Sequence, residues 1–407
     1  MKTRFILSIG LSAFVSLSVS AQTADTVSLG NNYTNEIWYS LDQGIQKDEL
    51  KDDWDIAFET SPQGASILIN DANSTELWVY PGDTSTWAAL VDTAGLSTWQ
   101  RQYNSDTSWF YGAFNQNMTG HPDYGWGTYN SVTHIVEGSK IFVLKLSDGS
   151  FQKVWILDVT LGVYSFKHAP LGGSTMSHTI DAKDFAGKNF GYFSLQTHGE
   201  KDKEPLADDW DIKFGKYTDV TINYVVTGAR QNINVNAAKA YPVNDPSTYE
   251  DYQSHTLNSE MNIIGHDWKS FNMTTFEYDI ADSTVYFVEA RGGDIWKIVF
   301  DGFGGSADGN ISFNKKKLLE VGINEPAQVN LLDLYPNPAQ DYINIVYKNY
   351  TNANVFVRDI NGKIVVNEVL PQNSLTHRIS VSDLTTGIYF ISIVSDGASS
   401  TKKLVVK

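Results

Sequence analysis

The chain has no cysteine in its 407 residues. Disulfides, thiol nucleophiles and thiolate metal sites are thereby excluded, and stability must come from packed cores. Basic residues are scarce: Lys plus Arg is 30 against 47 for Asp plus Glu, a formal charge of −17. Such a surface repels phosphate backbones and offers no basic patch to anionic lipid, which argues against nucleic-acid binding. No long segment repeats its apolar residues with the helical period of 3.6. The G-x-S-x-G elbow, the H-E-x-x-H helix and the phosphate-cradling G-x-x-x-x-G-K-[ST] loop are all missing, so no catalytic activity is expected. Carboxylates are plentiful, and a secreted hydrolase using a carboxylate pair is the last of the alternatives.

What is abundant is aromatic: 13% of residues, with 11 Trp and 21 Tyr, a content that suits pleated sheets. At the start, Lys2 and Arg4 precede an apolar, Ser-rich stretch from Phe5 to Val19, and Val19-Ser20-Ala21 has the small-residue form of a cleavage site. A signal peptide over 1–21 is expected, with Gln22 as the first mature residue. The stretch is too short to span a bilayer and no later run is long enough, so no transmembrane segment is expected in the mature chain.

The middle of the chain is duplicated. Trp38-Tyr39-Ser40-Leu41 followed by Asp52-Asp53-Trp54-Asp55-Ile56-Ala57-Phe58 returns as Tyr192-Phe193-Ser194-Leu195 followed by Asp208-Asp209-Trp210-Asp211-Ile212-Lys213-Phe214. Trp126 to Asn130 matches Trp268 to Asn272. Phe142-Val143-Leu144 with Asp148-Gly149 and Lys153 matches Tyr286-Phe287-Val288 with Gly292-Gly293 and Lys297. Ser165-Phe166-Lys167 matches Ser312-Phe313-Asn314. Repetition on this scale implies two similar domains in tandem. Strands Ile141–Leu146 and Phe151–Val159 around Asp148-Gly149 read as a hairpin, as do their counterparts in the second half, and 221–226 is a further strand candidate. Ser85–Leu90 has the composition of a short helix. The stretch from Asp92 to Asn130 reads as long loops. Trp54 and Trp210 are expected to anchor strands in the core. The Asp residues around them are expected to be an exposed acidic turn.

The last segment opens with Leu334-Tyr335-Pro336-Asn337-Pro338-Ala339. It continues through Arg358 to Lys363 and Leu384 to Phe390, and ends in Lys402-Lys403-Leu404-Val405-Val406-Lys407. In order and spacing it resembles the type A sorting domain of the bacterial type IX secretion system. That resemblance implies delivery to the cell surface or the medium, with the type IX machinery as partner. Its hairpins are expected around Asn361-Gly362 and Asp396-Gly397. The two repeats carry an aromatic strand, a Trp-Asp-Ile-x-Phe strand and a late hairpin with a Gly turn and a Lys. Together these resemble the HmuY-like family of exported all-β proteins, some of which bind haem.

The expected architecture is all-β, with two related β-sandwich-like modules in tandem and a small C-terminal β-sandwich sorting domain. The boundaries are 1–21 signal peptide, 22–182 first HmuY-like module, 183–320 second module, 321–330 linker and 331–407 sorting domain. In haem-binding relatives the axial ligands lie between the Trp-Asp-Ile-x-Phe strand and the late hairpin. The histidines in that interval are His121, His134, His255 and His266, with Met118, Met261 and Met273 nearby. The two pairs occupy unlike places relative to Trp126 and Trp268. A second reading draws on Trp99, Trp109, Tyr111, Tyr124 and Trp126, aromatics in polar loops that suit a sugar or another planar ligand. The third is an adhesive or structural surface protein with no small ligand.

Overall fold

The computed structural model describes residues 22–62, 64–319, 331–347, 353–360, 362–370, 376–395 and 398–407. The expected signal peptide and linker lie outside them. The fold is all-β, and the chain divides into two compact units at Val321/Gly322. Among the described residues no helix is long and apolar enough to cross a membrane.

In the larger unit the first repeat supplies β1 (Thr23–Ser28), β2 (Asn35–Ser40), β3 (Gly44–Leu50), β4 (Ile56–Glu59), β5 (Ile67–Ile69), β6 (Glu76–Val79), β7 (Gln100–Gln102), β8 (Gly127–Asn130), β9 (Ile135–Gly138), β10 (Phe142–Lys145), β11 (Phe151–Thr160) and β12 (Val163–Pro170). β13 (Met176–Asp181) closes the first stretch, and the second repeat supplies β14 (Phe190–Ser194), β15 (Gly199–Lys201), β16 (Ile212–Asp219), β17 (Tyr224–Gln231), β18 (Asn236–Ala240), β19 (Lys269–Asn272), β20 (Glu277–Ile280), β21 (Val285–Glu289), β22 (Ile295–Phe303) and β23 (Asn310–Leu319). Both late hairpins form as expected, and Gly149 and Gly293 supply the positive φ of their turns, 82° and 87°. The strand expected at 221–226 begins later, at Tyr224. Asp219 Oδ1 accepts the amides of Thr221 and Ile222, and Asn223 turns the chain at φ 50°. The helical piece is a 3-10 turn, Thr84–Ala88.

The repeats are interlocked. Two large sheets run β13-β12-β11-β10-β6-β7 and β1-β23-β22-β21-β18; two small ones run β15-β14-β4-β5 and β17-β16-β2-β3. Each small sheet therefore joins a hairpin from one repeat to the Trp-Asp-Ile strand of the other. The first strand, β1, closes onto the last, β23. Large and small sheets face each other over two cores, one holding Ile56, Phe58, Phe114, Trp126, Phe166 and Phe193, the other Ile37, Tyr39, Phe214, Trp268, Phe300 and Phe313. The reverse sides of the small sheets share a third core, with Trp38, Trp54, Phe190, Tyr192 and Trp210. This explains why β2 and β14 are buried on both faces.

The repeated acids and lysines have matched duties. Asp55 accepts the Leu195 amide at 2.7 Å, and Asp211 accepts the Leu41 amide at 2.8 Å. These two carboxylates are buried turn anchors between repeats, which corrects the expectation of an exposed acidic turn at Asp55 and Asp211, while Asp52, Asp208 and Asp209 are exposed as expected. Lys153 Nζ donates to the carbonyls of Trp87 and Leu90, and Lys297 Nζ to that of Ser247. Both lysines are buried and hold the loop that crosses behind their hairpin.

A set of buried charges lies beside the third core: Glu36, Lys203, Glu204 and Lys213. Glu204 accepts the Phe190 amide at 2.8 Å and the Tyr192 hydroxyl at 3.0 Å, and burial pushes its carboxyl up to about 7. A carboxyl that resists ionising in the fold releases its proton more readily when unfolded. Stability from this group is therefore full below about pH 4.5 and is lost as pH rises through about 7, on the order of 3 kcal/mol. Urea unfolding between pH 5 and 8 should show that decline, and Glu204→Gln should flatten it.

The smaller unit contains β24 (Leu331–Tyr335), β25 (Tyr342–Tyr347), β26 (Asn354–Asp359), β27 (Ile364–Val369), β28 (Thr376–Ser380), β29 (Gly387–Ser395) and β30 (Ala398–Val406). Sheets β24-β25-β28 and β27-β26-β29-β30 enclose Ile343, Ile345, Val355, Ile379, Ile391 and Leu404. Both hairpins expected here, β26–β27 and β29–β30, are present. Asn361, Asp396 and Gly397 of their turns lie outside the described residues.

Candidate functional site

Of the four histidines singled out in the sequence, the fold brings two together. His121 precedes Pro122 in the loop before β8, and His134 closes the β8–β9 turn at φ 60°. Both line a cavity of about 410 Å³ with Tyr124, Tyr129, Val136, Val159 and Leu161. The Tyr129 hydroxyl lies 2.7 Å from His134 Nδ1, and the Tyr129 ring is 5.1 Å from that of His121. Tyr129 thus touches both of these exposed imidazoles at the edge of one cavity, and its bond to Nδ1 makes Nε2 of His134 the nitrogen open to a ligand.

The other two stay apart. His255 Nε2 pairs with the Tyr249 hydroxyl at 2.8 Å beside a polar hollow lined by Asp245, Glu250 and Asp251. His266 Nε2 is 2.9 Å from Asp219. Of the three methionines, Met118 lines a smaller cavity, Met261 is buried in the third core and Met273 is exposed.

The loop aromatics divide similarly. Trp126 is fully buried and donates to the Ala65 carbonyl. Trp109 is buried and donates across repeats to the Gln231 carbonyl. Trp99 packs edge-on against Tyr80. Tyr111 is half exposed and shares a cavity of about 260 Å³ with Phe110, Met118 and Tyr124. Three indoles therefore serve packing, while Tyr111 and Tyr124 face open space.

A third grouping was missed in the sequence. His168 on β12, His178 on β13 and His198 in the β14–β15 turn place one imidazole nitrogen each within 4.8 Å of one another. His168 Nε2 is 3.2 Å from His178 Nε2, and His168 Nδ1 is 3.3 Å from Gln152 Oε1. Burial and the neighbouring imidazoles push His168 down to about 4, and the same causes lower His178. Alternation carried a signal: Tyr164, Phe166 and His168 share the inward face of β12.

Residues 333–407 match the family described as the secretion system C-terminal sorting domain. The tail is therefore a sorting domain, and the protein is exported by type IX secretion to the cell surface or beyond it. No curated protein matches the chain. Among solved structures, a biofilm associated protein BSP domain aligns at 10% identity with a TM-score of 0.17, covering 97% of this chain and 68% of that one. Likeness at that TM-score carries no argument.

Proposed function

We propose that this exported protein is a binding protein that takes haem in the cavity formed by His121, His134, Tyr124 and Tyr129. The observation that carries the reading is that two histidines, His134 bonded to Tyr129 and His121 in ring contact with it, line one cavity with Val136, Val159 and Leu161. Imidazole is the commonest protein ligand of haem iron, and an apolar wall suits the macrocycle. The volume is within the range of roughly 300–1,000 Å³ usual for small-molecule sites. The resemblance of both repeats to HmuY-like proteins points the same way, and no catalytic step belongs to this reading.

Haemin titrated into the mature protein should produce a shifted Soret band that is lost in His121→Ala/His134→Ala and kept in His255→Ala/His266→Ala. A band indifferent to the first pair, or no band, would refute it. A second reading follows from Phe110 and Tyr111, each 49% exposed beside Asn115 and Glu59. Rings so placed can stack on sugars, and a glycan screen with Tyr111→Ala as control tests that.

A further inference from the structure

We infer that His168, His178 and His198 form a binding site for a divalent transition-metal ion of the zinc class, separate from the His121/His134 cavity. Three imidazole nitrogens are a known donor set for tetrahedral zinc, with the fourth position left to water or an exogenous ligand. Around a zinc ion with Zn–N near 2.0–2.1 Å, tetrahedral nitrogens lie about 3.3 Å apart. His168 and His178 already have that spacing, at 3.2 Å. The third ring belongs to an exposed turn, so a small side-chain rotation brings it in.

The surroundings support the assignment. Gln152, itself buried, stands 3.3 Å from His168 Nδ1, where it accepts the ring N–H and leaves Nε2 as the ligand nitrogen. Phe193 lies behind both inner rings, 4.8 Å from that of His178 and 6.5 Å from that of His168. His168 is fully buried, His178 half-buried and His198 exposed, which leaves a path from solvent.

The corresponding place in the fold, where β1 pairs with β23 beside the β2–β3 turn, shows what this arrangement looks like without such a role. By register, Phe166 pairs with His178, and Phe313 pairs with Asp25. The residues matching His168, His178 and His198 are Lys315, Asp25 and Gly44. Lys315 Nζ lies 3.4 Å from Asp25 and 2.8 Å from the Leu41 carbonyl, a self-contained ion pair. Gly44, at φ 81°, takes a left-handed conformation that costs glycine nothing, whereas His198 adopts φ 56° with a side chain attached. The shared backbone therefore asks for none of the three histidines, and their gathering at one of the two matching places needs another cause.

Calorimetry of the metal-stripped mature protein with Zn²⁺ should give one equivalent bound at this site. His198→Gly, which restores the residue of the other module in a compatible conformation, should weaken binding by at least tenfold without lowering the melting temperature of the metal-free protein. His178→Asn should weaken it likewise. Zn²⁺ should raise the melting temperature of the unsubstituted protein more than that of either variant. His121→Ala/His134→Ala should leave the isotherm unchanged, which separates this site from the haem reading. No binding, or binding that survives His198→Gly and His178→Asn, would overturn the assignment.

Discussion

A chain lacking residues 331–407 should accumulate in the periplasm, with its surface and medium fractions close to zero by immunoblot. The tail has its own enclosed core, with Ile343, Val355, Ile391 and Leu404 fully buried, and it belongs to a separate compact unit. The body encloses its hydrophobic residues in cores that contain no residue of the tail. Deletion should therefore remove the export signal without unfolding what remains. The tryptophans make this directly visible. All 11 precede the deleted segment, so the fluorescence maximum of the retained protein should match that of the full chain. Retention of a folded body separates loss of sorting from loss of folding, which would instead give proteolysis and a red-shifted emission. Normal delivery of the truncated chain would contradict the sorting role.

Local signals reached much of this fold. Gly149 of Asp148-Gly149 and Gly293 of Gly292-Gly293 take positive φ within short turns, so the late hairpins follow from the residues themselves. The recurrence of Trp-Asp-Ile-x-Phe announced the duplication. What was not legible is the exchange of hairpins between repeats, because Tyr39 pairs with Ile212 and Tyr192 with Ala57 across more than a hundred residues of chain. Two identical patterns do not say which copy partners which. The same ignorance hid the role of Asp55, whose amide partner Leu195 lies in the other repeat. Among the histidines, the sequence offered an interval and the fold chose within it, joining His121 to His134 through Tyr129. The alternation Tyr164, Phe166, His168 marked one buried histidine, but His198 enters that cluster only through the packing of β14 and β15 on the first module. Sequence distance concealed the set as effectively as it concealed the exchange.

Glu36→Ala should cost about 3–5 kcal/mol of unfolding free energy, because it takes the ion-pair partner from the buried Lys213. Glu36 lies on β2 in the first repeat, with Lys213 Nζ at 2.6 Å and Lys203 Nζ at 3.6 Å, both on the second. Burial pulls Lys213 below the usual lysine range, and Glu36 is the first of the groups that oppose that pull. The pair also sits over the third core, where Lys213 Nζ is 4.4 Å from the centre of the Trp38 ring. The loss is a large fraction of the roughly 5–15 kcal/mol that holds a typical domain folded. The other module supplies the control. At the positions matching Glu36 and Lys213 it carries Phe190 and Ala57, both in the same apolar cluster. Glu36→Phe combined with Lys213→Ala therefore replaces an ion pair by a combination this backbone already accommodates. Lys203 keeps Asp53 at 2.6 Å, so it is not stranded. Trp54 Nε1 loses its acceptor, Glu36 Oε1, and that orphaned donor should leave a residual cost of about 1–3 kcal/mol. The double variant should thus be more stable than Glu36→Ala alone and cost less than Glu36→Phe and Lys213→Ala summed, a non-additivity readable in urea unfolding curves. If the two substitutions simply add, the charges are not coupled through the interlocked sheets and the contact between Glu36 and Lys213 is incidental to stability.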